Sequence, residues 1–159
     1  MTKRGHLKIV LSPEARSDLR DALRWSETKF GHDARTRYEA LIVQALRDIE
    51  SEPDRHGSID RSEIMIKGAR TYHIRFSRDR AKAAFGVVHN PRHFILYRCR
   101  HDRNVIDIAR ILHDGAPSNV IFLKTTATWT LAIDLSAKAG TTVRPTPLRP
   151  GQKYLKIPS

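Results

Sequence analysis

Five side chains between residues 67 and 113 are of types that could cut RNA without a metal ion. Cleavage by the RNA's own 2′-hydroxyl needs a group that takes its proton, cations that hold the pentavalent phosphate, and a donor for the leaving oxygen. Lys67, Arg70 and Arg75 could stabilise the phosphate, and Tyr97 or His113 could serve as acid or base. Both also have structural interpretations: Tyr97 as a core tyrosine with its hydroxyl at the edge, and His113 as a strand-end histidine bonded to backbone.

Other kinds of chemical site are not indicated. The histidines of this region show no metal-ligand spacing and no cysteine cluster joins them, so the sequence predicts no metal and no cofactor. They are His73, His89, His93, His101 and His113. The single cysteine, Cys99, lies in an apolar pattern and is interpreted as a packing residue.

Charge is the second signal. The chain has 29 Lys and Arg against 17 Asp and Glu, a net charge of +12, which implies an acidic partner. The excess lies mainly in residues 67 to 110, whereas the segment before it mixes both signs. We interpret this half as a surface for phosphates or for an acidic protein.

The elements that must position these residues begin with a strand near residues 7 to 11 and two helices. Ser12 is predicted to cap the first helix with Pro13 at its first position, and Gly31 to end it. Asp33 is predicted to cap the second helix, which should end at residues 51 to 53. The short link predicts an antiparallel helix hairpin.

Strand patterns follow the hairpin. Residues 54 to 62 are polar and read as a connection, and Tyr72, Ile74 and Phe76 alternate with polar residues as in a strand. Residues 83 to 88 could extend a hairpin, residues 94 to 97 resume as a buried strand, and residues 105 to 112 form a last strand that should be central in the sheet. The predicted fold class is α+β: an N-terminal strand and a helix hairpin packed on a twisted antiparallel sheet, in the order β-α-α-β-β-β.

Four short sequence motifs on these elements resemble those of the RelE/ParE superfamily of type II toxins, and the ParE branch more closely. The motifs are Gly68-Ala69-Arg70, Tyr72-His73-Ile74-Arg75, Pro91-Arg92-His93-Phe94 with Tyr97-Arg98, and Arg110-Ile111-Leu112-His113-Asp114. The resemblance covers residues 6 to 116. Two features depart from the family pattern: Ala69 replaces the usual leucine, and the loop of residues 79 to 90 is long.

The resemblance implies a plasmid-stabilisation-type toxin that inhibits DNA gyrase, is not an enzyme, and is neutralised by a cognate antitoxin in a hetero-oligomer. The expected target contacts are Arg70, Arg75, Arg92, Arg98, Arg103 and Arg110. The expected antitoxin contacts are Leu19, Leu23, Tyr72, Phe94 and Arg98. The antitoxin should be acidic, because this chain is strongly basic. Two alternatives stay open: a RelE-like ribosome-dependent mRNA endonuclease, and a non-catalytic nucleic-acid-binding module.

The sequence predicts two parts of the chain: a toxin domain at residues 1–116 and a basic extension at residues 117–159. Within the extension, residues 129 to 135 alternate like an edge strand, and the prolines beyond residue 140 favour an extended or disordered end. Neither a signal peptide nor an apolar run of membrane-spanning length is present, so we expect a soluble, cytoplasmic protein with no membrane partner.

Overall fold

The computed structural model describes residues 7–62, 66–81 and 86–116. The elements, in chain order, are β1 (Lys8–Leu11), α1 (Pro13–Phe30), α2 (His32–Ser51), β2 (Ser58–Asp60), β3 (Ala69–His73), a 3₁₀ helix (Ile74–Ser77), β4 (His93–Arg100) and β5 (Val105–His113). Two helices packed on one small sheet confirm the α+β prediction.

The sheet has five strands in the order β1-β5-β4-β3-β2 and is mixed rather than wholly antiparallel. Strands β2 to β5 pair antiparallel with their neighbours, whereas β1 runs parallel to β5. The chain between β1 and β5 comprises the helix hairpin and strands β2 to β4, which is ample for the long connection that a parallel pair requires. β4 is the central strand, and β5 lies beside it, between β1 and β4; β5 is therefore an interior strand, one place away from the central position predicted for it. The short strand β2 lies in the segment predicted as a connection.

The helix ends follow the sequence signals in all but one place. The Ser12 side chain accepts a hydrogen bond from the backbone N–H of Ala15, and Gly31 has a φ of +86°, which favours glycine. The prediction that Asp33 caps α2 is wrong. α2 begins at His32, directly after Gly31, so Asp33 lies inside the first turn and makes no capping bond.

The core lies between the helix hairpin and one face of the sheet. Leu41, Ile42 and Ile49 of α2 pack in it with Tyr72 and Ile95 of the sheet, and all are almost fully buried. Leu96 and Ala109 form a second, smaller buried cluster with Ile66 packed against it. Because neighbouring residues of a strand point to opposite faces, Leu96 lies on the face away from the helices.

The predicted alternation through Phe76 is interrupted. β3 ends at His73, and the chain turns into a 3₁₀ helix. This turn brings the Ser77 hydroxyl within 2.6 Å of the buried Asp48 carboxylate, to which it donates. Arg80 Nη2 also donates to Asp48, at 2.6 Å. Burial raises the pKa of Asp48, but the bonds from Arg80 and Ser77 outweigh it and hold this pKa below its usual value. Asp48, a buried carboxylate with hydrogen-bond donors around it, therefore attaches α2 to the segment that follows β3.

Two predictions concern residues that lie wholly or partly outside the described ones. The predicted extension at residues 117–159, with its alternating segment at residues 129 to 135, lies wholly outside them. In the predicted hairpin extension at residues 83 to 88, the described residues 86 to 88 are not in a strand.

Candidate functional site

One group of predicted site residues meets where β3 and β4 pair near β2. Arg70 is the cross-strand partner of Tyr97. Arg70 Nε donates to Ser58 Oγ at 2.7 Å, and Ser58 Oγ lies 2.6 Å from the Tyr97 hydroxyl, which also donates to the backbone carbonyl of Pro53. Tyr97 is fully buried, and burial raises the pKa of its hydroxyl. Its hydroxyl therefore ties the segment that follows α2 to the sheet.

A pocket of about 790 Å³ opens beside this group. Its lining includes Arg70, Cys99, His101 and Asp54. Cys99 Sγ lies 3.7 Å from His101 Nδ1, and burial raises the pKa of the thiol, which disfavours the reactive thiolate. The interpretation of Cys99 as a packing residue agrees with its contact with the core.

A second group lies at the opposite end of the same strands. His113 pairs with His93, and their rings meet edge to face with centroids 5.3 Å apart. His113 Nδ1 accepts a hydrogen bond from the backbone N–H of Gly115 at 3.0 Å, which matches the structural interpretation of this histidine. Asp114 joins the group through Arg92 Nε at 2.8 Å and His73 Nε2 at 3.6 Å.

His93 and Tyr38 connect this second group to α2. The Tyr38 hydroxyl lies 2.6 Å from His93 Nδ1 and accepts a bond from the backbone N–H of Arg92 at 3.2 Å. Burial, followed by the nearby His113, lowers the pKa of His93 to about 4, and burial raises the pKa of Tyr38 to about 12. Both side chains are therefore neutral near pH 7. This pair was not predicted from the sequence. Its only sign there is the motif Pro91-Arg92-His93-Phe94, which contains His93.

The five residues predicted for RNA cleavage are not brought together. Tyr97 lies four residues along β4 from His93, the partner of His113, which is about 13 Å. A general acid and base at one phosphate must each lie within about 3 Å of the atoms they serve. Lys67 is exposed in the turn before β3, and Arg75 lies after β3 with its guanidinium 5.0 Å from the Phe76 ring. The described residues thus form two separate polar groups.

The tip of the β4–β5 hairpin carries several basic residues. Arg98 and Arg100 lie on β4 and Arg103 lies in the turn; with the exposed Lys67 of the neighbouring turn we call them the hairpin-tip surface. Gly68, next to Lys67, lies against the Arg98 side chain: a Cβ there would be 3.5 Å from Arg98 Cγ. Burial, and then the charge of Arg100, lower the pKa of Arg98.

Two carboxylates lie near these arginines at the hairpin tip. Arg100 is 3.8 Å from both Asp102 and Asp107, and Arg103 is 3.7 Å from Asp102. Because the surface contains four cationic side chains and these two carboxylates, its net charge is positive, which suits an acidic partner.

Two of the residues predicted to contact partners are placed where their side chains serve the fold. Arg110 makes two hydrogen bonds to Asp18 of α1, at 2.7 and 2.8 Å, and both side chains are largely buried. Tyr72 is fully buried and its hydroxyl bonds to Ser77. These internal contacts occupy the polar groups of both side chains.

The remaining predicted contacts differ in exposure. Leu23 is buried, whereas Leu19 and Phe94 are partly exposed. Arg92 and Arg75 are exposed at the Asp114 end of the sheet, and Arg70 is partly exposed beside the large pocket.

Within the described residues, no three His, Cys, Asp or Glu side chains are grouped so that they could hold a metal ion. None of the described helices combines the length and the apolar character needed to cross a membrane.

The fold, a helix hairpin against a small mixed sheet, is that of the RelE/ParE toxins, and the site is a set of polar and basic groups on its sheet. The family model described as the ParE toxin of the type II toxin–antitoxin system parDE matches residues 9–116. The chain belongs to this ParE toxin family, and membership implies a cognate antitoxin as partner. A search of curated proteins gives no match.

Proposed function

We propose that this toxin inhibits DNA gyrase by binding and does not cut RNA. The observation that carries the proposal is the separation of the candidate catalytic groups: Tyr97 lies in the middle of β4, four residues from His93, whereas His113 pairs with His93 at the end of the β4–β5 pair. Each is also held by an internal hydrogen bond, Tyr97 to Pro53 and His113 to Gly115. Within the described residues these two candidates do not meet at one point, which supports action through the surface rather than RNA cleavage.

The hairpin-tip surface is the proposed contact with the gyrase–DNA complex. Arg98, Arg100 and Arg103 lie there, with Lys67 in the neighbouring turn, and four cations exceed the two carboxylates of Asp102 and Asp107. The cleavage state of gyrase offers DNA phosphates, for which such a surface has the matching charge. Arg75 and Arg92, at the other end of the sheet, are proposed as secondary contacts.

The antitoxin is proposed to be acidic and to cover the same basic surface. A chain of +12 attracts an acidic segment, and that segment gains charge pairing and apolar burial when it folds onto the toxin. Leu19 and Phe94 are the partly exposed apolar residues proposed to contact it. Co-expression with the acidic product of a neighbouring gene should restore growth and give a complex that survives high salt.

Expression in a bacterial host tests the mechanism. The proposal predicts induction of the DNA-damage response and gyrase covalently trapped on DNA, with intact transcripts. A Tyr97→Phe variant should remain toxic, and a Lys67→Glu/Arg103→Glu variant should not. Transcripts cut at ribosome-positioned codons, with undamaged DNA, would assign the toxin to RNA cleavage instead.

A further inference from the structure

A groove runs between α1 and the end of β5, far along the strands from the hairpin tip. Its volume is about 350 Å³. α1 supplies one wall with Asp18, Asp21, Ala22 and Trp25, and residues 111 to 113 of β5 supply the other wall together with His93. We call it the α1–β5 groove. It is large enough to hold one long side chain of a partner.

The helix wall combines an aromatic ring with a carboxylate that the fold does not use. Residues 18, 21, 22 and 25 share one helix face. Asp18 is committed to Arg110, whereas Asp21 is exposed and makes no hydrogen bond or ion pair within the described part of the chain. Trp25 is 45% exposed, and Phe30 packs edge-on against its ring at 5.5 Å. An exposed indole beside a carboxylate is the arrangement that attracts a cation.

The strand wall is a sheet edge. β1 covers β5 only at residues 105 to 108, and no described strand continues the sheet at Ile111 and His113. The N–H of Asp114 bonds to the carbonyl of Arg92, so the backbone groups of Ile111 and His113 point away from β4. Asp18 Oδ2 already accepts the N–H of Ile111 at 3.0 Å. The carbonyl of Ile111 and the N–H of His113 therefore lie along an edge that an extended segment could follow.

We propose that the α1–β5 groove binds an extended segment of a partner protein and holds one lysine or arginine side chain of that segment between the Trp25 ring and the Asp21 carboxylate. The charge argument selects this occupant. The chain as a whole is basic, at +12, yet the lining of this groove contains two carboxylates, Asp18 and Asp21, and no lysine or arginine. An acidic segment would instead meet Asp21 directly and lose affinity.

The probe is a set of fluorescently labelled, acetylated five-residue peptides of alternating threonine and valine, whose central residue is lysine, norleucine or glutamate. Anisotropy titrations use the full chain. The lysine peptide should bind at least tenfold more tightly than the other two. Asp21→Asn and Trp25→Leu should each weaken lysine-peptide binding at least fivefold. Asp33→Asn, which makes the same chemical change at an exposed site on α2, should leave it unaltered.

Three results of the titrations would overturn the proposal: equal binding of the norleucine peptide, full binding by Asp21→Asn, or no binding of the lysine peptide at millimolar concentration. Circular dichroism checks that each variant is folded. Sedimentation of the wild type covers another occupant, since a dimer that Asp21→Asn dissociates would place a second copy of the chain in the groove and also overturn the proposal. None of these measurements involves gyrase, so their failure leaves the proposed function standing.

Discussion

Arg110 of β5 and Asp18 of α1 form a two-point ion pair, with Nε 2.7 Å from Oδ2 and Nη2 2.8 Å from Oδ1. Their side chains are only 11% and 15% exposed. Asp18 also accepts the backbone N–H of Ile111, so this one carboxylate attaches the first helix to the last strand.

Replacing Arg110 by methionine should destabilise the protein by about 3 kcal/mol, because it leaves the Asp18 carboxylate buried without its cation. Urea unfolding followed by circular dichroism measures the loss. The matched control is Arg103→Met at the exposed hairpin turn, which should change stability by less than about 0.5 kcal/mol. Equal stabilities for the two variants would show that the Asp18 pair does not hold α1 to the sheet.

Acid should destabilise the fold through His93. Its pKa is about 4 in the folded protein, below the ordinary value of 6.5. As the pH falls below 6.5, the unfolded chain takes up the proton and the folded chain does not, so stability decreases. The lowered pKa of His73 acts in the same direction. Between pH 7 and pH 5 we expect a loss of about 2 kcal/mol from His93.

Urea unfolding at several pH values measures this loss. His93→Gln should flatten the profile, whereas His89→Gln, at an exposed position, should leave it steep. An unchanged profile in His93→Gln would contradict the assignment of a buried neutral imidazole bonded to Tyr38.

Sequence patterns predicted what is local in this fold. The cap at Ser12, the end of α1 at Gly31 and the two helices depend on neighbouring residues, and each could be predicted from residue type and spacing. The Asp18–Arg110 pair joins residues 92 apart, and the Tyr38–His93 bond joins residues 55 apart. Neither pattern nor propensity indicates such partners, because they depend on how the helix hairpin lies on the sheet.

Contacts between distant residues also determine which residues meet in the candidate site. Candidate arginines and histidines could be selected from the sequence, but which of them lie together could not be predicted from it. Arg70 and Tyr97 are brought together by the register of β3 and β4, while His113 is carried to the far end by the register of β4 and β5. Arg110 is predicted as a target contact from the family resemblance, and its burial against Asp18 is a property of the tertiary structure that the sequence does not indicate.

The toxicity of variants should show that the hairpin-tip surface is needed for growth inhibition and that the hydroxyl of the buried Tyr97 is not. Arg103 is 53% exposed, and reversing its charge together with that of Lys67 should abolish growth inhibition while leaving stability nearly unchanged. Tyr97→Phe loses hydrogen bonds worth about 1 kcal/mol and should remain toxic. Growth curves measure the effect, and matched expression is confirmed by immunoblot. Loss of toxicity in a folded Tyr97→Phe variant would point to a chemical role for that hydroxyl.

The described core should fold without residues 117–159. Its main cluster joins α1 and α2 to β3, β4 and β5, all of which end before residue 117. A truncation after Ala116 should keep a cooperative urea transition with a midpoint close to that of the full chain. A non-cooperative transition would place part of the core beyond residue 116.

Direct observation of gyrase with purified toxin tests the central claim most sharply. Supercoiled plasmid, gyrase and ATP are incubated with the toxin, and the products are separated after detergent and protease treatment. In parallel, a reporter message is translated in vitro with the toxin and mapped by primer extension. The account predicts linear plasmid with wild-type and Tyr97→Phe toxin, none with Lys67→Glu/Arg103→Glu, and an uncut message throughout. Codon-phased cuts in the message together with unbroken plasmid would contradict it.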